Sequence, residues 1–113
     1  MRKAQVFYKG RMAGQLVQRD DESFVFSYDE DWLQDRQAPA ISLTLPRRQP
    51  EHHSPTLFPF FFHLLPEGAN KEVVCHALRI DPEDHFGLLL ATARHDVVGA
   101  ITLHPYPPSR DVA

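Results

Sequence analysis

Seven histidines, one cysteine and fifteen carboxylates are the side chains through which this sequence could do chemistry. A metal site needs ligands that converge from one helix face or across a short loop. His52 and His53 are adjacent, and adjacent residues on a regular element do not face the same ion. His63, His76, His85, His95 and His104 have no i,i+4 or short-loop pairing with one another or with Cys75. The spacing favours scattered surface or half-buried histidines over a ligand set. Cys75 would need a base within reach to act as a nucleophile. His76, its neighbour, points about 100° away on a helix, so a buried or half-buried free cysteine is the better reading.

The carboxylates have a simpler explanation than acid–base work. Asp29, Glu30 and Asp31, and the cluster Asp81 to Asp84, each stand where a helix should begin, and negative charge stabilises that end. The five glycines form no G-x-G-x-x-G or G-x-x-x-x-G-K-[ST] loop, so nucleotide phosphates have no backbone cradle. These patterns assemble no active site. The expectation is a protein that is not an enzyme and holds no metal or cofactor. Trp32, just after an acidic helix start, reads as a core anchor, with an interface hot spot as the alternative.

The residues that must be positioned are instead apolar. Phe58-Pro59-Phe60-Phe61-Phe62-His63-Leu64-Leu65-Pro66-Glu67-Gly68 is apolar all round, whereas a surface helix needs only one apolar stripe. In a chain of 113 residues such a segment is either wholly buried or covered on its second face by a partner.

The elements around it can be read from periodicity. Residues 4–28 alternate as three strands with a Lys9-Gly10 turn and a polar break at residues 19–22, an antiparallel meander. A short helix follows Asp29 and is limited by Pro39. Ile41, Leu43 and Leu45 alternate with Ser42 and Thr44, which predicts a short strand with one buried face. Residues 46–56, with prolines and the His52-His53 pair, read as a surface loop. Thr56 is placed to cap a helix whose first turn tolerates Pro59. Val73, Val74, Ala77 and Leu78 form an apolar stripe on a second helix over about 70–79. Asp81-Pro82 starts a third, with Phe86, Leu89, Leu90 and Ala93 inside. Residues 99–103 return as a strand. The fold class is α+β: a small antiparallel β-sheet, meander plus returning C-terminal strand, with about three helices packed on one side. One domain spans 1–113, with a core of about 4–105 and a Pro-rich tail over 105–113.

Hydrophobic residues make up 42% and charged residues 24%, the proportions of a globular chain. A net charge of −3, with Arg47-Arg48 the only basic cluster, gives no support for direct nucleic-acid or membrane binding. One cysteine permits no internal disulfide, and no apolar run approaches a membrane span or signal peptide. A cytoplasmic protein is expected.

Several separated pieces then form one pattern. They are Val6-Phe7-Tyr8-Lys9-Gly10-Arg11-Met12-Ala13-Gly14-Gln15-Leu16, Phe26-Ser27-Tyr28 with Trp32-Leu33, and Ile41-Ser42-Leu43-Thr44-Leu45-Pro46. Phe61-Phe62-His63-Leu64-Leu65-Pro66-Glu67-Gly68, Asp84-His85-Phe86-Gly87-Leu88-Leu89 and Gly99-Ala100-Ile101-Thr102-Leu103 follow in order. From about Val6 to Pro105 the chain resembles the N-terminal subdomain of HipA-type serine/threonine kinase toxins. The string Phe-Phe-x-x-Leu-Leu-Pro-Glu-Gly is its most specific part. The chain departs from the family at His63, where Asn is common, and at Ala93-Arg94-His95-Asp96, which replaces a Gly-Gly-Asp-like turn.

In that family the subdomain precedes a kinase core carrying the ATP loop and catalytic Asp, and this sequence contains no such core. The resemblance therefore implies one of two things: a piece of a longer kinase, or a free-standing protein of the HipS type, the small antitoxin of three-component HipBST systems. Met1 and the Pro-rich tail favour the second. A HipS-type protein would bind and inhibit a separate HipT-like kinase toxin, with a HipB-like DNA-binding protein reached through the complex. On this expectation Phe58, Phe61 and Leu64 face the core, while Phe62, His63, Leu65, Pro66 and Glu67 project toward the kinase. A purely core role for Phe62 and Leu65 remains the alternative.

Overall fold

A computed structural model of the chain describes residues 2–93 and 101–106. The first three strands are β1 (Arg2–Tyr8), β2 (Arg11–Gln18) and β3 (Phe24–Tyr28). Lys9 and Gly10 join β1 to β2 with φ of 51° and 81°, the paired positive dihedrals of a type I′ hairpin turn, whose twist matches that of the strands. A short helix α1 (Glu30–Gln34) follows, then β4 (Glu51–Ser54), α2 (Pro59–Phe62), α3 (Gly68–Leu78), α4 (His85–Thr92) and β5 (Ile101–Pro105).

The five strands form one antiparallel sheet in the order β4-β3-β2-β1-β5. On its inner face Ala4, Leu16, Phe26 and His52 stand abreast, as do Val6 and Leu103. Helices cover that face: Phe24 stacks on Phe86 of α4 at 6.2 Å, and Phe26 meets Phe61 of α2 at 5.7 Å. The β1–β2 register slips between Val6 and Phe7, which makes Ala13 the extra residue of a bulge. The carbonyl of Ala13 accepts the Asp29 N–H at 2.7 Å, so the bulge fixes where α1 begins. Beside it, a Cβ on Gly14 would collide with the carbonyl oxygen of Ser27 and the Phe26 ring, which excludes any larger residue there.

The α+β architecture agrees with the pattern of the sequence, and four local expectations are corrected. Residues 41–45 are not a strand but a turn. Residues 51–54 are not a surface loop but the edge strand β4, and His52 is buried within it. Thr56 caps nothing; α2 starts at Pro59, with Phe58 in the capping position. The helix expected after Asp81-Pro82 begins three residues later, because Asp81 Oδ1 accepts the Glu83 N–H in a local turn and Asp84 caps α4 through Gly87 N–H at 3.1 Å. The Ala93–Asp96 turn beyond Ala93, residues 99–100 and the tail beyond Tyr106 lie outside the described residues.

Arg2 fastens the two halves together. Its guanidinium donates to both oxygens of Asp84, at 2.6 and 3.2 Å, and lies 5.0 Å over the Phe86 ring. That bond holds the Asp84 carboxyl below the ordinary carboxylate range, against the opposing effect of burial, with Gly87 N–H adding to it.

Candidate functional site

The Phe-rich segment folds as one short turn of helix followed by a tighter turn. Pro59 occupies the first helical position, where its missing N–H costs nothing. Phe62 and His63 donate to the carbonyls four residues back, at 2.9 and 3.0 Å; Leu64 and Leu65 donate only three back, at 3.0 and 3.1 Å. The chain thus winds more tightly just before Pro66. Glu67 is extended, and Gly68 then takes φ of 57°, a left-handed conformation that favours glycine although a Cβ there would meet nothing.

This geometry sorts the side chains. Phe61 is sealed in the core, ringed by Phe26, Phe58 and Phe60 at 5.1–6.2 Å. Phe58 is buried and Leu64 half-buried against the same cluster. Phe62 stays 45% exposed, with one ring edge set at 5.2 Å against His85. His63 and Glu67 are exposed and Pro66 is half-buried. Leu65 differs from expectation: it does not project outward but is 7% exposed and belongs to the core. The spacing contained this signal, because Leu65 is four residues from Phe61 and seven from Phe58, all on one helical stripe. Of the expected contact set, the structure brings Phe62, His63 and Glu67 to the surface.

A second exposed apolar residue was missed in the sequence. Leu43 is 99% exposed at the tip of the loop between α1 and β4, while Ile41 and Leu45 on either side are buried. Leu45 N–H bonds the Ser42 carbonyl at 3.1 Å and Thr44 N–H bonds the Ser42 hydroxyl at 3.2 Å, closing a turn. Side chains remote in sequence hold the rest of that loop. The Tyr28 hydroxyl donates to the Leu45 carbonyl and accepts the Ile41 N–H at 3.1 Å; burial pushes its pKa up, against that N–H and the charge of Arg47. Trp32 Nε1–H donates to Pro39 O at 2.9 Å, and His52 Nε2 bonds Pro46 O at 3.1 Å. Arg47 Nη2 donates to the carbonyls of Trp32, Leu33 and Asp35 at 2.7–3.1 Å, satisfying groups that the end of α1 leaves open.

The polar residues remain dispersed. Among the described residues no group of three or more His, Cys, Asp or Glu is placed to hold a metal ion. His53 bonds Glu51 at 2.7 Å, His104 packs on Phe7 at 5.2 Å, and Cys75 is buried. No helix among the described residues is long and apolar enough to cross a membrane.

With this geometry the comparisons with known proteins agree. Residues 4–104 match the HipA N-terminal domain family, and the chain belongs to it. It superposes on a solved N-terminal domain of HipA toxin with a TM-score of 0.73 and 34% identity, covering 96% of each chain. That domain is not the catalytic kinase part. The chain is 36% identical over 100 residues to "Putative kinase Y4mE" of Sinorhizobium fredii, which takes in 88% of this chain but only 24% of that one. It is also 37% identical over 103 residues to an uncharacterized protein of Haemophilus influenzae, covering 91% of this chain and 92% of the relative. The same domain thus occurs as about a quarter of a long chain and as nearly all of a short one.

Proposed function

We propose that this protein is a HipS-type antitoxin, a non-catalytic domain that binds a separate HipT-like serine/threonine kinase toxin in the cytoplasm and holds it inactive. The observation that carries this reading is the α2 tip: Phe62 remains half-exposed on a turn locked from beneath by Phe61 and Leu65. A rigid aromatic of this kind loses little freedom on binding and can supply about 2 kcal/mol once desolvated. Phe62, His63 and Glu67 contact the kinase, Pro66 forms the rim, and Leu65 supports them from the core. Residues of about 4–105 act as one binding unit, and a HipB-like DNA-binding protein joins through the kinase. The near full-length match to the short Haemophilus protein supports a domain that works unattached.

The Sinorhizobium relative supports a second reading, in which this domain is the N-terminal part or adaptor of a HipA-type kinase and does not itself inhibit. A kinase assay separates the two. The HipA-type kinase encoded in the same genome is purified and assayed with and without this chain. Inhibition by the wild type, and its loss by about thirtyfold in affinity for Phe62→Asp, is the expected result. A kinase that binds the chain and keeps full activity supports the adaptor reading. Leu65→Asp is the wrong probe, because it places a charge in the core.

A further inference from the structure

The β1–β2 turn and the chain leaving α1 enclose a cleft of about 260 Å³. Its floor is aromatic: the Tyr8 and Trp32 rings meet edge to face at 5.8 Å. Two cations lie over that floor. The Arg11 guanidinium is 4.9 Å from the centre of the Trp32 ring, and Lys9 Nζ is 5.6 Å from that of Tyr8. Asp35, Gln37, Ala38 and Pro39 form the facing wall.

The charges in this cleft do not balance. Asp35 is the one carboxylate of its lining, and it is already occupied: Oδ2 accepts Arg11 Nη1–H at 2.6 Å and Oδ1 accepts Gln37 N–H at 3.0 Å. That bond from Arg11 holds the Asp35 carboxyl below the ordinary range. Lys9 pairs with no carboxylate among the described residues. A guanidinium has five N–H donors, and one of Arg11's is used among the described residues. A chain with a net charge of −3 therefore carries a local positive excess here, above two π faces. The site is also fixed in advance, since Lys9 sits in a two-residue turn at φ of 51° and Trp32 is anchored to Pro39.

We propose that this cleft binds an acidic segment of another protein, with a Glu or Asp carboxylate taken by Lys9 and Arg11 and an adjoining apolar side chain resting on the half-exposed Tyr8, while Trp32 lies buried beneath Arg11. The volume suits one or two side chains and falls below the roughly 300–1,000 Å³ of pockets that bury a whole small molecule. Asp35 in the facing wall repels a dianion more than a single carboxylate, which disfavours phosphate. Two cations without a continuing basic track do not follow a nucleic-acid backbone. The cleft shares no residue with the α2 tip, so this inference does not depend on the kinase reading.

Trp32 is the sole tryptophan of the chain, so its emission reports directly on the cleft. The full chain is titrated with the blocked peptide acetyl-Leu-Glu-Phe-amide, with its Gln counterpart, and with inorganic phosphate. A saturable change with the acidic peptide is expected, with affinity about tenfold lower for the Gln peptide and for the Lys9→Gln variant. Equal binding of the two peptides, phosphate binding as tight as the acidic peptide, or no saturable change overturns the proposal. Lys9→Gln alters an exposed turn residue, and its melting temperature is measured alongside. The peptide and phosphate arms decide the matter on wild-type protein if that variant folds poorly.

Discussion

The loop between α1 and β4 has no repeating backbone structure, and α3 is the longest helix described, yet the loop is the better held of the two. Tyr28, Trp32, Arg47 and His52 each fasten a backbone carbonyl in or next to the loop, and Ile41 and Leu45 are buried beneath it. In α3 only Cys75 is buried; Val73 is 65% exposed, and Leu78 too faces mostly solvent. The apolar stripe expected on that helix is thus largely outside the core. Its C-terminus is finished locally, by Arg79 in the left-handed region and Ile80 N–H bonding Cys75 O at 2.9 Å. The contrast teaches that here order comes from buried side chain-to-backbone bonds and not from backbone periodicity. An eleven-residue helix with one buried side chain gains little from packing and is near the length at which isolated helices are marginal.

Substitutions can break this contrast. Trp32→Ala should have the largest effect, about 3–5 kcal/mol in a urea melt, because it empties a core site and frees Pro39. Amide exchange at Ile41 and Leu45 should accelerate together with the loss. Arg47→Ala comes next: the carbonyls at the end of α1 lose a charged donor, a cost of roughly 2 kcal/mol. Its melting temperature should fall while the far-UV spectrum stays that of a folded chain. Val73→Asp should be nearly silent, within about 0.5 kcal/mol. If Val73→Asp destabilised the protein as much as Arg47→Ala, α3 would be as firmly tied to the fold as the loop, and the contrast would fail.

The same contrast explains what could be read from the sequence. The meander was legible because alternation in β1 to β3 and the Lys9-Gly10 turn are local signals that agree. Phe86 and Leu89 likewise mark the buried side of α4, although its start was expected at Asp81-Pro82 and falls at Asp84. Residues 41–45 misled because Ile41, Leu43 and Leu45 alternate like a strand, while Ser42 closes them into a turn and the Tyr28 hydroxyl, remote in sequence, holds Ile41 and Leu45 at either end. β4 was hidden for the opposite reason. Glu51-His52-His53-Ser54 has no strand-like composition and is extended by its pairing with β3. At the candidate site, the buried status of Phe58 and Phe61 followed from the excess of apolar residues, and the exposure of Phe62 from its place off their stripe. Leu65 was misassigned although it lies on that same stripe, four residues from Phe61 and seven from Phe58.

The sheet order also has a meaning in time. β1 is the first of the five strands to be made and its neighbour β5 the last, so Val6 waits for Leu103 until the other strands of the sheet have been made. Until then one side of β1 is an open edge of unpaired backbone groups, the kind of edge that recruits foreign strands. Folding is therefore completed from the C-terminal side. Wherever a domain of this topology stands at the start of a longer chain, this step precedes emergence of the remainder, so the domain can be whole before anything downstream of it has folded.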